Sequence, residues 1–235
     1  MRDFKQAIAN GLTGIGLRLD DSVVALLVEH LELVYAANAQ LNLTRITPED
    51  APLLHVIDSL LAAASLAECP HGRFADLGSG AGFPGIPLAI VSGRPAALVE
   101  SVKKKAVFLE HAISVLRLDS TVRAVRAEEL AETDAAGFSV VLARALSSLP
   151  SLVELAAPLL VEEGVLIALK ARPEAKEFER GRAAARLCGM VEDRLVKAAI
   201  PGSGSVRTLV LYRRHGRATL NLPRRAGMAQ RKPLA

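Results

Sequence analysis

The sequence predicts an α/β fold, a doubly wound and mostly parallel sheet of seven strands that follows an N-terminal helical cap. Two patterns support this fold class. From residue 73 onward, short strand-like runs alternate with helix-like runs, which is typical of a parallel sheet with helices on both faces. Before that point, apolar residues recur at helical spacing. We therefore divide the chain into a cap at 1–67, a sheet domain at 68–215 and a basic tail at 216–235.

The cap is predicted to contain two main helices. Residues 20–22 offer Asp and Ser side chains as an N-cap to an apolar periodic stretch at 23–41. A second apolar stretch, at 52–66, follows the helix-start residues 48–50. We expect one helix over each stretch.

The sheet domain is predicted to contain five strands that are separated by helices. Two further runs, at 191–199 and 207–213, flank the turn residues 201–204 and predict an antiparallel hairpin that closes the sheet edge. The five strands are expected at 74–78, 97–101, 121–125, 138–143 and 165–171, and the helices near 85–91, 103–116, 151–160 and 174–188.

Composition narrows the class of protein. Half of the residues are apolar, and because Trp is absent, Leu, Val and Ala must fill the core. We find no apolar run long enough to span a bilayer, and the first four residues do not resemble a secretory signal. Cys69 and Cys188 have no metal-ligand spacing, and most histidines are scattered. We expect a cytoplasmic monomer with no disulfide, no metal and no membrane contact.

The charges are distributed unevenly along the chain. No acidic residue follows Asp193, whereas ten Lys or Arg residues lie beyond it, so residues 1–193 carry a net charge of −6. A basic end on a mildly acidic body indicates a polyanionic partner, because Lys and Arg on phosphates release counterions. From charge alone, a solvated tail that aids solubility is the alternative.

The first predicted strand ends in a glycine-rich turn that contains Asp76, Gly78, Gly80 and Gly82. Glycine has no Cβ and accepts positive φ, so such a turn lets a ligand approach the backbone. In an open α/β sheet the ligand lies outside the carboxyl ends of the strands. Small residues dominate the turn, which favours a nucleoside-containing cofactor over a tight turn without a ligand.

Two cofactors fit the glycine spacing, because Gly80-x-Gly82-x-x-Gly85 also matches the dinucleotide fingerprint. Three features favour S-adenosylmethionine over a dinucleotide such as NAD or NADP. Asp76 can attract the amino group of a methionine moiety, and Phe83-Pro84 makes the helix start unlike a pyrophosphate turn. The second strand is not followed closely by an arginine that would bind a 2′-phosphate. An NAD-type oxidoreductase stays as the alternative function.

Two later strand ends offer further cofactor contacts. Glu100 follows the second strand, where a carboxylate can accept both ribose hydroxyls of a nucleoside. Ala127-Glu128 follows the third strand, where an adenine ring would lie, although the same residues could begin a helix.

Two motifs are more specific than the glycines alone, GFPG at 82–85 and KPL at 232–234. With them the chain resembles the RsmG family, also called GidB, whose members methylate N7 of a guanine in 16S ribosomal RNA. The similarity runs from about residue 38 to the C-terminus, and its most specific parts are GFPG after the turn and KPL near the end. Two positions depart from the family pattern, Ala37 in place of Trp and Ala229 in place of Pro, and the latter is expected to loosen the tail. The other matching motifs are NLT at 42–44, HVIDSL at 55–60, DLGSGAGFPGIP at 76–87, ES at 100–101, RAE at 126–128, ARA at 143–145, LK at 169–170 and RAG at 225–227.

The resemblance implies a Rossmann-like methyltransferase sheet, S-adenosylmethionine as cofactor, S-adenosylhomocysteine as product, and 16S ribosomal RNA or the small ribosomal subunit as partner. It also implies a set of cofactor-lining residues, which partly coincides with the residues chosen above from the strand ends. The implied set is Gly78, Phe83, Glu100, Ser101, Ala127, Glu128 and Arg144.

The sequence predicts no catalytic residue. An Asn/Asp-Pro-Pro-aromatic motif, typical of exocyclic amine methylation, is missing after the fourth strand, and no cysteine follows a proline as a pyrimidine-C5 nucleophile would. Guanine N7 carries a ring lone pair and loses no proton, so direct in-line attack needs positioning and exclusion of water.

The remaining candidates concern the RNA. His55 and Asp58 are three residues apart and could share a helix face that orients the guanine, with Asn42 as a third candidate. The alternative for the pair is a surface or core role. The basic candidates for phosphate contact are Lys104, Lys105, Lys170, Arg225, Arg231 and Lys232. A non-catalytic RNA-binding module is the third hypothesis for the whole chain.

Overall fold

A computed structural model describes residues 4–235 and contains one seven-stranded sheet within that range. The strand order is β3-β2-β1-β4-β5-β7-β6, with strands β1 to β5 parallel and β7 antiparallel to both neighbours. The predicted fold class is therefore confirmed. The strands are β1 Phe74–Leu77, β2 Ala96–Val99, β3 Ser120–Arg123, β4 Phe138–Arg144, β5 Leu160–Lys170, β6 Met190–Ile200 and β7 Ser205–Arg214.

The central strands of the sheet are more buried than its two edge strands. The central strands β1, β2 and β4 are buried at nearly every position, as parallel strands covered on both faces are. The edge strand β3 is only partly buried, and β6 carries charged residues at exposed positions. Such charges discourage pairing of the edge with another chain.

The helices cover both faces and form the cap. The sequence prediction missed α1 and α10 and had α7 only as the alternative for residues 127–128, while the other helices of the sheet domain lie where expected. The helices are α1 Phe4–Gly14, α2 Asp21–Leu41, a π-helix at Pro52–Ile57, α3 Asp58–Leu60, α4 Ala63–Ala67, α5 Gly85–Ser92, α6 Lys103–Val115, α7 Ala127–Thr133, α8 Leu149–Ala156, α9 Ala175–Leu187 and α10 Met228–Arg231.

The second cap helix differs from its prediction. One continuous helix was expected over 52–66, but the chain forms the π-helix, then α3, and breaks before α4. A π-helix widens the backbone turn, and such turns are frequent at functional sites. Here it places His55 and the following Asp58 inside the protein rather than on its surface.

The cap and the sheet share one hydrophobic core. Phe4 and Leu31 of the cap belong to the same buried cluster as Phe74 and Leu211 of the sheet. The expectation that no apolar run could span a bilayer is wrong for α2, which is long and apolar enough by composition. In the fold, α2 packs its buried face on this core.

Candidate active site

The glycine-rich turn follows β1 at the carboxyl edge of the sheet. Gly78, Gly80 and Gly82 all have positive φ, at 71°, 57° and 91°. A Cβ on Gly78 would lie 2.7 Å from Leu146 Cδ1, so any larger residue would both strain the backbone and collide with that side chain. The turn therefore brings bare backbone close to the adjoining space, as a ligand cradle requires.

Asp76 is fully buried and stabilises the start of α5. Its Oδ2 accepts a hydrogen bond from the Gly85 backbone N–H at 3.0 Å, and a Cβ on Gly85 would lie only 2.6 Å from the same oxygen. Burial raises the pKa of Asp76 to about 6. Asp76 Oδ1 has no hydrogen-bond partner among the described residues, which leaves one acceptor free beside the turn.

Glu100 joins the end of β2 to the same turn. Its Oε2 accepts a hydrogen bond from Gly80 N–H at 3.0 Å, and its Oε1 accepts one from Val102 N–H at 2.8 Å. These two bonds fix the carboxylate at the carboxyl edge of the sheet, beside Ser101. Both residues were predicted from the sequence.

A narrow slot of about 60 Å³ opens beside the turn, below the ends of β1, β2 and β3. Ala127 and Glu128 line it from the first turn of α7, so the two interpretations of this pair are compatible. Its walls are divided almost equally between polar and apolar surface. The slot is lined by Leu77, Gly78, Val99, Ser101, Val125, Arg126, Ala127, Glu128, Leu146, Leu155 and Gln230.

Two histidines of the cap enclose Phe83. The His55 ring is parallel to the Phe83 ring with centroids 4.3 Å apart, and the His30 ring is tilted against it at 4.5 Å. His30 Nε2–H donates to the Ala81 carbonyl in the glycine-rich turn, at 2.9 Å. Burial lowers the pKa of His30 to about 4 and that of His55 to about 3, so both rings are neutral at pH 7.

A buried ion-pair network joins the cap to β4 and β7. The Asp58 carboxylate lies 2.8 Å from Arg144 Nη1 and 2.7 Å from Arg207 Nε. Its side chain is only 3 % exposed, and those of the two arginines are 15 % and 18 % exposed. Arg144 also lies above the Phe83 ring, 5.6 Å from its centroid. The network thus positions Arg144 between the glycine-rich turn and the cap.

This network forms one wall of the large pocket, a cavity of about 560 Å³ at the carboxyl ends of β4 and β5. The volume lies within the range of small-molecule sites. Arg144 and the His55–Phe83 stack lie at its boundary with the glycine-rich turn. Its lining residues are Ile46, Leu54, His55, Asp58, Arg144, Ala145, Leu169, Lys170, Ala171, Arg172, Glu177 and Arg207.

The predicted RNA-facing residues have different environments. Asn42 is exposed at the C-cap of α2 and does not line the large pocket. Lys170 lies 2.7 Å from Glu177 and donates to the Ser147 carbonyl, so its charge is already paired. Lys105 is half-buried. The exposed members are Lys104, Arg225, Arg231 and Lys232.

Several site residues were missed by the sequence reasoning. His30 was treated as scattered, and Arg207, Glu177 and Gln230 were not chosen. Glu162, Glu163 and His215 bring ligand atoms within 4.8 Å of one another, but all three are exposed at the opposite edge of the sheet. The 2.8 Å contact between His215 and Glu163 raises the pKa of the histidine and accounts for that grouping.

Comparisons with solved structures support the fold alone. A putative sarcosine dimethylglycine methyltransferase from Galdieria sulphuraria matches with a TM-score of 0.55 and 12% identity, over 80% of this chain and 98% of that chain. An M. jannaschii TYW2 structure in complex with AdoMet matches with a TM-score of 0.53 and 15% identity, over 67% and 76%.

Sequence comparisons identify the family. Residues 24–204 match the family model GidB, described as rRNA small subunit methyltransferase G. A protein of that name from Roseiflexus sp. (strain RS-1) is 40% identical over 93% of this chain and 95% of its own length. Another from Geobacter sp. (strain M21) is 36% identical over 90% and 98%. The chain therefore belongs to the rRNA small subunit methyltransferase G family.

Proposed function

We propose that this protein transfers a methyl group from S-adenosylmethionine to N7 of a guanine in 16S ribosomal RNA, acting in the cytoplasm as a monomer without a membrane or metal. One observation carries the proposal beyond family membership. The large pocket adjoins the glycine-rich turn through Arg144 and the His55–Phe83 stack. A base in the large pocket would therefore lie next to a cofactor held by the turn.

The residues beside the turn fit S-adenosylmethionine. Gly78 lines the slot beside the turn, Glu100 presents a carboxylate for ribose hydroxyls, and Ala127 and Glu128 line the same slot. When bound, the cofactor supplies an electrophilic methyl group. Residues that would hold it are Asp76, Gly78, Gly80, Gly82, Phe83, Glu100, Ser101, Ala127, Glu128 and Arg144.

The large pocket lacks a side chain poised to remove a proton. His55 is neutral, but its Nδ1 faces Arg144 Nη2 at 3.4 Å and its Nε2 lies 2.8 Å from Thr44 Oγ1. Asp58 is paired with two arginines, and Glu177 is paired with Lys170 and accepts a hydrogen bond from Leu149 N–H. Guanine N7 needs no base, because its lone pair is already available. The work left to the protein is alignment of the base and exclusion of water.

Charged groups line the large pocket and surround it. Its two carboxylates, Asp58 and Glu177, are each paired with basic side chains of the same lining. The exposed Lys104, Arg225, Arg231 and Lys232 offer phosphate contacts outside it. Because only two Tyr and six Phe occur in the chain, RNA binding is expected to depend on charge and shape more than on stacking.

The direct test is methyl transfer from radiolabelled S-adenosylmethionine to naked 16S RNA, to the small subunit and to tRNA. The sharpest control is 16S RNA transcribed with 7-deazaguanosine, which keeps the Watson–Crick edge of every guanine but has no N7. We expect transfer to the normal RNA and none to the 7-deaza RNA. Labelling of the 7-deaza RNA would show that another atom is the acceptor.

Calorimetry separates the alternative functions. S-adenosylhomocysteine is expected to bind and NAD is not. Binding of NAD instead would support the oxidoreductase alternative. Binding of RNA without methyl transfer to any of the substrates would support the non-catalytic module.

A further inference from the structure

The C-terminal segment, defined here as residues 224–232, is docked on the sheet domain. Arg224 donates two hydrogen bonds of 2.6 Å to Glu154, whose side chain is 3 % exposed. The same guanidinium donates to the Lys232 carbonyl at 2.8 Å, which closes the segment on itself. Ala229 is buried in the same apolar cluster as Leu149 and Leu152 of α8. Although Ala replaces the usual Pro at 229, the segment is held in place.

The docked segment reaches the narrow slot. The Gly227 N–H donates to Glu128 Oε1 at 2.7 Å, so the segment contacts a residue that the sequence assigned to the cofactor. Gln230, three residues later, lines the slot itself. Its other walls come from the ends of three strands, α7, α8 and Leu146. Without the segment, the slot would be open on this side.

The chemistry of the slot matches an adenine ring. Leu77, Val99, Val125, Leu146 and Leu155 provide apolar surface for the faces of a flat heterocycle. The edge of adenine presents a 6-amino donor beside a ring-nitrogen acceptor. A primary amide offers one acceptor and two donors, which is the pairing that Gln and Asn use to recognise adenine. The Glu128 carboxylate can only accept, and one of its oxygens is already bonded to Gly227.

We propose that Gln230 is a cofactor-binding residue whose side-chain amide hydrogen-bonds the edge of the adenine ring, with the C-terminal segment serving as a wall of the cofactor site. The proposal rests on S-adenosylmethionine being the cofactor. It assigns the segment a role in cofactor recognition in addition to phosphate contact by its exposed basic residues.

The test combines a side-chain change with a ligand change. Calorimetry measures the affinity of the full chain for S-adenosylhomocysteine and for its analogue that lacks the 6-amino group. Gln230→Ala should weaken binding of S-adenosylhomocysteine about tenfold, as expected for loss of two hydrogen bonds. The loss of affinity caused by Gln230→Ala should be several-fold smaller with the analogue. Without a 6-amino group, the analogue cannot form one of the two bonds with either the wild type or the variant.

Gln40→Ala is the matched control, since Gln40 is an exposed glutamine at the end of α2 outside both cavities. It should bind both ligands like the wild type, and both variants should keep the wild-type melting temperature. Equal affinity of Gln230→Ala and wild type would overturn the proposal, as would an equal loss for the two ligands. If the wild type fails to bind S-adenosylhomocysteine, the proposed function itself is wrong.

Discussion

The two halves of the site are built in different ways. The proposed cofactor half lies at the ends of β1, β2 and β3, where Gly80 contacts Glu100 at a separation of 20 residues, and single hydrogen bonds reach it from the cap and from the C-terminal segment. The substrate half lies at the ends of β4 and β5, and its central ion pairs join Asp58 to Arg144 and Arg207, which are 86 and 149 residues away.

The two halves therefore depend to different extents on contacts between residues that are distant in sequence. The cofactor half has its positive-φ turn and its strand-end carboxylate on neighbouring strands, and one hydrogen bond ties that turn to the cap. The substrate half requires the cap, β4 and β7 to meet at one buried carboxylate. We therefore expect changes in the substrate half to cost stability as well as activity, and changes in the cofactor half to cost mainly affinity.

The largest expected effect is at the centre of the substrate half. Asp58→Ala leaves two arginines without their shared partner in a part-buried site, and should lower the free energy of unfolding by about 3–5 kcal/mol. Urea denaturation measures the change. Asp21→Ala is the control, because its ion pair with Lys5 is exposed and should contribute little. Similar small losses in both variants would contradict a buried network.

A smaller effect is expected in the cofactor half. Glu100→Gln keeps the shape but removes the charge, and its NH2 group cannot accept one of the two bonds that Gly80 and Val102 N–H donate to the carboxylate, so S-adenosylhomocysteine affinity should fall about 10- to 100-fold. Calorimetry gives the affinity, with the exposed Glu110→Gln of α6 as control. If Glu100→Gln binds as the wild type does, the ribose assignment fails.

The third prediction concerns pH and the boundary between the halves. His30 and His55 have pKa values lowered to about 4 and 3, so below pH 6.5 the unfolded chain binds more protons and stability falls. Asp76, with its pKa raised to about 6, opposes this trend, because the folded state then binds the additional proton. The two histidines outweigh one aspartate, so the unfolding free energy should drop by roughly 2 kcal/mol from pH 7 to pH 5.

His30→Gln tests the origin of that slope. The glutamine amide can still donate to the Ala81 carbonyl but does not titrate, so urea unfolding at pH 7 and pH 5 should differ much less than in the wild type. An unchanged difference would mean that other groups set the pH dependence.

The smallest expected effect lies outside both halves. Replacing Arg225, Arg231 and Lys232 by Ala should reduce the slope of log affinity for RNA against log salt by roughly 0.7–0.9 for each phosphate that the variant no longer neutralises. Arg117→Ala, an exposed residue before β3 at the opposite edge of the sheet, should leave the slope unchanged. A slope unaffected by the triple change would exclude the C-terminal segment from phosphate contact.

The same comparison explains what sequence reasoning could reach. The strand ends, the glycine-rich turn and Glu100 follow from local patterns and from the rule that parallel strands present their carboxyl ends on one edge. His30 could not be recognised, because its partner Ala81 lies 51 residues away on a different element. Arg207 and Gln230 have no motif that marks them, and they join the site only through the fold. The π-helix also escaped prediction, since its apolar spacing fits an ordinary helix.

The hydrogen bond from His30 to Ala81 has a consequence for motion. The backbone of the glycine-rich turn is anchored to α2, and α2 shares its core with the sheet. Local opening of the cap must therefore release the turn, and a ligand that orders the turn must also protect amide hydrogens in α2 from solvent exchange. Cap and turn form one cooperative unit, although 51 residues of chain separate His30 from Ala81.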